Sequence, residues 1–142
     1  MLDVDARAVD KSAPKATATN QKYRPAPVPG MPYQKATIAD AESALPDDAR
    51  AKMFRMKDAL DTEEVAFTLF TMEPNAEGME HDHRDSGQEE VYYVVEGGVD
   101  VEFGDATVSL DEREAIRIDA EESRQIRNRD HYSELVLVGA PR

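Results

Sequence analysis

Between Val65 and Ala140 the chain is a train of short runs with strand composition, parted by turn residues. VAFTLFTME (65–73) is β-branched and aromatic and stops at Pro74, with Asn75 and Gly78 just beyond. VYYVVE (91–96) runs into Gly97-Gly98, and VDVEF (99–103) into Gly104-Asp105. ATVSL (106–110), EAIRID (114–119), RQIRN (124–128) and ELVLVGA (134–140) follow at close spacing. No helical periodicity of about 10–15 residues separates these runs, which argues against a parallel α/β sheet. Short, evenly spaced strands with turn residues between them build an all-β sandwich or barrel.

The chain upstream is different. Residues 1–21 are Ala-, Thr-, Lys- and Asp-rich without period and read as a flexible arm. RPAPVPGMPY (24–33) holds four prolines and a glycine, and is expected to be extended because proline fixes φ and removes donors. Its simplest role is a linker or a strap over the barrel; a PxxP-type ligand for another domain is the sharper alternative. The division is an N-terminal arm over 1–34 and a barrel domain over 35–142. QKATIAD (34–40) reads as an extended lead-in, and ADAESALPDDARA (39–51) as a short helical-turn region broken at Pro46. No internal repeat stands out.

Composition limits the chemistry. At 142 residues and 40% apolar, the chain suits one domain with a real core. It has no cysteine, so any metal must be held by histidine and carboxylate. The net charge of −13 has the wrong sign for nucleic-acid phosphate or an anionic membrane surface. No run of about 18 apolar residues exists, and residues 1–21 lack the apolar core of a secretory signal, so the cytoplasm is the expected compartment. The acidity is uneven. Residues 1–24 hold five Lys/Arg against three Asp, whereas beyond Lys57 there is no lysine and only seven Arg. That pattern suits either a halophilic surface of solvated carboxylates or ordinary compositional drift.

Two of the three histidines stand at His81 and His83. On an extended chain, i and i+2 point to one face, so both imidazoles can reach one ion. Glu90 opens the next strand, where alternation sends Glu90, Tyr92 and Val94 one way and Val91, Tyr93 and Val95 the other. Two histidines and a carboxylate suit Fe(II), Mn(II), Zn(II), Ni(II) or Cu(II).

The stretch from His81 to Gly97 resembles the first cupin motif, G-x5-H-x-H-x3–4-E-x6-G. His81, His83, Glu90 and Gly97 occupy its ligand and closing-glycine positions. The leading glycine position holds Asn75, and six residues rather than three or four separate His83 from Glu90, which implies a longer loop with Ser86-Gly87 at its tip. The second motif, G-x5-P-x-G-x2-H-x3-N, falls in register on Arg113, Asp119, Glu121, Arg124 and Asn128. Its glycines and proline are absent, and the fourth metal-ligand position is Arg124. Arginine stays protonated and cannot bind a cation. The resemblance spans roughly residues 65–140. It implies a double-stranded β-helix (jelly-roll) barrel with an extended N-terminal arm, and a homodimer, often with an exchanged N-terminal strand.

Four arrangements are open to His81, His83, Glu90 and Arg124. Three ligands and water hold a divalent metal. Arg124 pairs with Glu90 in a metal-free barrel. Arg124 and the histidines together bind an anionic small molecule, with Tyr92 and Asn128 lining the same pocket. Or the histidine segment is a solvated loop with Arg124 outward. His131 reads as a solvated turn residue, and Tyr92 as core rather than catalytic. Met53, Met56, Met72 and Met79 read as gap-filling core; Glu63-Glu64 and Glu121-Glu122 as solvated surface. The expected function is a small-molecule-binding cupin with a partial metal site, acting as sensor, carrier or accessory protein. The alternatives are a metal-dependent dioxygenase or isomerase, and an interaction module working through the arm.

Overall fold

The structure, a computed structural model, describes residues 30–142, so most of the expected arm lies outside the described residues. After a 3-10 turn at Ile38–Asp40 come β1 (Ala51–Arg55), α1 (Lys57–Leu60), β2 (Ala66–Met72), β3 (Gln88–Glu96) and β4 (Gly98–Phe103). Then follow β5 (Ala106–Asp111), β6 (Ala115–Ile118), β7 (Gln125–Asn128) and β8 (Ser133–Pro141). They form a five-stranded sheet, β1-β2-β8-β3-β6, and a three-stranded sheet, β5-β4-β7. Every pairing is antiparallel.

Alternation decides what each strand buries. On β3, Tyr92 and Val94 are buried while Val91, Tyr93 and Val95 are partly exposed, as the sequence pattern requires. Register then builds rows across the inner face of the larger sheet: Phe70–Leu135–Val94, Thr68–Leu137–Tyr92–Ile116, and Ala66–Gly139–Glu90–Ile118. From the smaller sheet Val99, Val101, Leu110 and Ile126 close the core against these rows. Each such side chain contributes about 1.5–3 kcal/mol when fully buried.

The seven strands read from sequence all form, with ends shifted by a few residues. The segment before them differs from expectation. QKATIAD carries the 3-10 turn, because Thr37 and Asp40 make a reciprocal capping box. The stretch after it is not helical: Ser43 Oγ accepts from the Leu45 and Met53 amides and holds the chain in an irregular turn. β1 and α1 were not anticipated. β1 pairs with β2 along its whole length, so its tertiary partner and not its own composition makes it a strand. Among the methionines, Met56 and Met72 are buried and Met53 packs beside the core, but Met79 is exposed and is not a core residue.

Two motif positions explain themselves in backbone angles. Gly97 has φ +84°, and a Cβ there would collide with Ser133 Oγ and the Tyr132 carbonyl. Asn75 and Arg113, standing where the two motifs carry their leading glycines, also have positive φ, +61° and +69°. Asparagine tolerates that region; arginine does so at a cost.

Candidate metal and ligand site

The residues from Ala76 to His83 run beside β7 and extend the smaller sheet without becoming a regular strand. Asn128 N–H donates to the Ala76 carbonyl at 2.9 Å, and Gly78 N–H to the Ile126 carbonyl at 2.8 Å. His81 and Arg124 exchange both backbone hydrogen bonds, at 3.0 and 2.9 Å. His83 N–H donates to Ala120. The two residues by which this loop exceeds the motif turn back on His83, whose carbonyl accepts from the Ser86 and Gly87 amides. Gly87, at φ +65°, supplies the left-handed residue that this turn needs.

Three side chains converge here. His83 Nε2 lies 3.1 Å from Glu90 Oε1, and His81 Nε2 lies 3.8 Å from Oε2. The candidate ligand atoms of His81, His83 and Glu90 all fall within 4.8 Å of one another. His81 Nδ1 is 3.0 Å from the Met79 carbonyl, which can only accept; Nδ1 therefore carries a proton, and in the neutral ring Nε2 keeps its lone pair. His83 Nε2 is buried, and its 3.1 Å approach to Glu90 Oε1 is not aligned as a hydrogen bond, so it has no hydrogen-bond partner among the described residues. Two ring nitrogens and a carboxylate oxygen brought together without a hydrogen bond at His83 Nε2 fit a divalent cation. His81, His83 and Glu90 Oε1 would hold it, and the carbonyl behind His81 is the kind of outer support that such ligands use.

The other Glu90 oxygen is already engaged. Oε2 accepts from Arg124 Nη2 at 2.7 Å and from the Tyr92 hydroxyl at 3.0 Å. Arg124 Nε donates to the Tyr92 oxygen at 3.3 Å, and Nη1 to the Glu122 carbonyl at 2.6 Å. Burial pushes the Glu90 carboxyl up, but His81 and the Arg124 guanidinium outweigh it and hold the group at about 2. Burial raises Tyr92 well above the usual phenol range, so it stays a neutral donor. The Glu90 carboxylate raises His81, against the opposing effect of burial. Glu90 thus presents one oxygen to a guanidinium and the other to the histidines.

Of the four arrangements, the Arg124–Glu90 pair is formed, and it leaves the three candidate ligands together. Arg124 is fully buried, not outward. Its three nitrogens are all taken within the protein, so the expected fork onto an anionic ligand is not what this geometry offers. Asn128 also sits away from the position expected of it. Its amide nitrogen donates to the Met72, Glu73 and His131 carbonyls and its oxygen accepts from Ser133 Oγ, so it locks the turn before β8. His131 takes part in that turn through its carbonyl.

A cavity of about 940 Å³ lies between the sheets and reaches the three converging side chains. His81, His83, Glu90 and Tyr92 line one part of it; Leu45, Met53, Phe70, Ile126 and Leu137 give it an apolar wall. Arg55 and Gln88 also line it, and neither was singled out from sequence. The signal for Arg55 was the alternation of Ala51, Met53 and Arg55, just past the stretch read as a helical-turn region. Gln88 precedes the motif glutamate by two residues and shares its face of β3. A Cβ at Gly139 would meet the Gln88 side chain at 2.7 Å, so the glycine makes room for it.

The cupin domain family model matches residues 68–138, half of the chain. The chain belongs to the cupin family. Solved structures of the same fold include a cupin protein from Bacteroides fragilis, with a TM-score of 0.63 and 18% identity, covering 78% of this chain and 86% of that one. A cupin-superfamily sugar phosphate isomerase from Silicibacter pomeroyi gives 0.61 and 20%, covering 76% of each chain. A predicted oxalate decarboxylase from Thermotoga maritima gives 0.62 and 18%, covering 77% of this cupin and 100% of that chain. No curated protein matches. Among the described residues no helix of this cupin is long and apolar enough to cross a membrane.

Proposed function

We propose that this cupin is a small-molecule-binding protein that holds a divalent cation on His81, His83 and Glu90, with its ligand in the cavity above them. The observation that carries this reading is the cavity wall: it contains all three candidate ligand side chains, and one of them ends in a buried ring nitrogen that makes no hydrogen bond among the described residues. In this reading Arg124 stands in for the fourth ligand by fixing Glu90 from behind. It also lowers the affinity for a cation, since it adds a positive charge next to the site. The test is metal content of the protein by mass spectrometry, beside a His81→Ala/His83→Ala variant and Arg124→His. Near-stoichiometric metal in the wild type, lost in the double variant, supports the reading. Metal in neither wild type nor Arg124→His sinks it.

A second reading, a dioxygenase or isomerase, is favoured by the ligand count: three protein ligands leave coordination positions open for a substrate. The ion identified by the first test decides which turnover assay follows. The proposal includes a homodimer, supported by the exposed Val91, Tyr93 and Val95 on the outer face of β3. Light scattering on the full chain checks it.

A further inference from the structure

We infer that the cavity ligand is an organic anion with an apolar body, and that Arg55 binds its anionic group. This rests on the small-molecule reading above and names the ligand class for it.

The charged side chains lining the cavity can be taken in turn. Glu90 is paired with Arg124, Glu77 with Arg127, and Asp82 accepts from the Arg84 amide. Arg50 donates to the Pro74 carbonyl at 2.7 Å and lies 3.7 Å from Glu73, and Lys57 donates to the Glu63 carbonyl at 2.9 Å. Arg55 alone of these has no partner for its side chain among the described residues. An arginine on an edge strand is commonly just solvated. Arg55 is itself exposed, but register puts it on the cavity face: it is opposite Thr68, in the row Thr68–Leu137–Tyr92 that faces inward, whereas Lys52 and Phe54 take the other face. The guanidinium therefore belongs to the cavity side of the sheet.

The remaining wall sets the rest of the ligand. Leu45, Met53, Phe70, Ile126 and Leu137 accept an apolar body and offer it no hydrogen bond. β1 is three strand spacings from β3, about 14 Å along the sheet. A molecule of a few carbons beyond a ring reaches from Arg55 toward the histidines. In a chain of net charge −13, an unpaired cation at the cavity is also where an anion gains most from entering. A guanidinium prefers carboxylate or phosphate, which it grips with two parallel donors.

The experiment is calorimetric titration of the full chain with 4-phenylbutyrate and its uncharged counterpart 4-phenylbutanol, each with zinc and with EDTA. Wild type, Arg55→Gln, Arg55→Lys and His81→Ala/His83→Ala are compared. The expected result is that Arg55→Gln weakens the carboxylate about tenfold and leaves the alcohol unchanged, with part of the loss restored in Arg55→Lys. Equal affinity of acid and alcohol in the wild type, an unchanged acid affinity in Arg55→Gln, or no binding of the acid below about 5 mM overturns the inference. If the double histidine variant and the wild type alike take no zinc while the acid preference survives, the metal reading fails and this one stands. Zinc binding with no effect of Arg55→Gln gives the reverse.

Discussion

Arg124 and Glu90 form a buried pair, and removing both partners should cost about as much as removing one. The N···O distance is 2.7 Å and the guanidinium is fully buried. With charge centres about 4 Å apart and an effective dielectric of about 20, the Coulomb attraction is about 4 kcal/mol. Measured losses on breaking buried pairs are of the same order, about 3–5 kcal/mol, because the survivor keeps its charge without its partner. Arg124→Met should therefore destabilise the metal-free protein by about 3–5 kcal/mol, a fall of about 10 °C or more in Tm. Glu90→Gln should cost a similar amount, since it strands a buried guanidinium. The double variant should lose about as much as one single variant, not the sum of both. The assay is urea unfolding followed by circular dichroism in EDTA at neutral pH; the chain has no tryptophan to report by fluorescence. Single-variant losses that add within about 0.5 kcal/mol would refute the coupling and the geometry behind it.

Three further outcomes follow from the same structure. The Glu90 carboxyl is depressed from 4.5 to about 2, so its contribution, about 3 kcal/mol, is fully present above pH 4.5 and lost as pH falls through about 2. Acid unfolding of Glu90→Gln in EDTA should be flatter over that window than that of the wild type. Gly97→Ala should destabilise by about 2 kcal/mol or more, because it combines a left-handed φ with a collision against Ser133 and Tyr132; an unchanged urea midpoint would contradict this. Arg113→Gly should stabilise by about 1 kcal/mol, because a non-glycine residue at φ +69° is relieved there, and differential scanning calorimetry would detect the rise in Tm.

Strand alternation carried most of the fold into the sequence. VYYVVE told its two faces apart before any neighbour was known, because a sheet with one buried face requires period two. The histidine pair and Glu90 were legible for the same reason, through spacing that an extended segment, a loop and the next strand translate into proximity. What could not be read was set by partners. AKMFR has an ordinary composition and becomes a strand only beside β2, so Arg55 was hidden with it. Arg124 was visible as a residue in a ligand position, yet its three engaged nitrogens depend on where the Glu122 carbonyl and Tyr92 hydroxyl lie. Met79 looked like core by type, but it stands between Gly78 and His81, whose backbones are bonded to Ile126 and Arg124, and its side chain is exposed.

His81 and Arg124 are joined twice through their backbones, and their side chains meet again at Glu90. A closed circuit of this kind cannot open at one point alone. Withdrawing the arginine from the carboxylate by a backbone movement would carry the histidine with it. The amide protons of residues 81 and 124 should then exchange with solvent at one common rate, set by a shared local opening. A cation arriving at the histidines would slow both together, so one exchange experiment reads the occupancy of the site from the sheet that carries it.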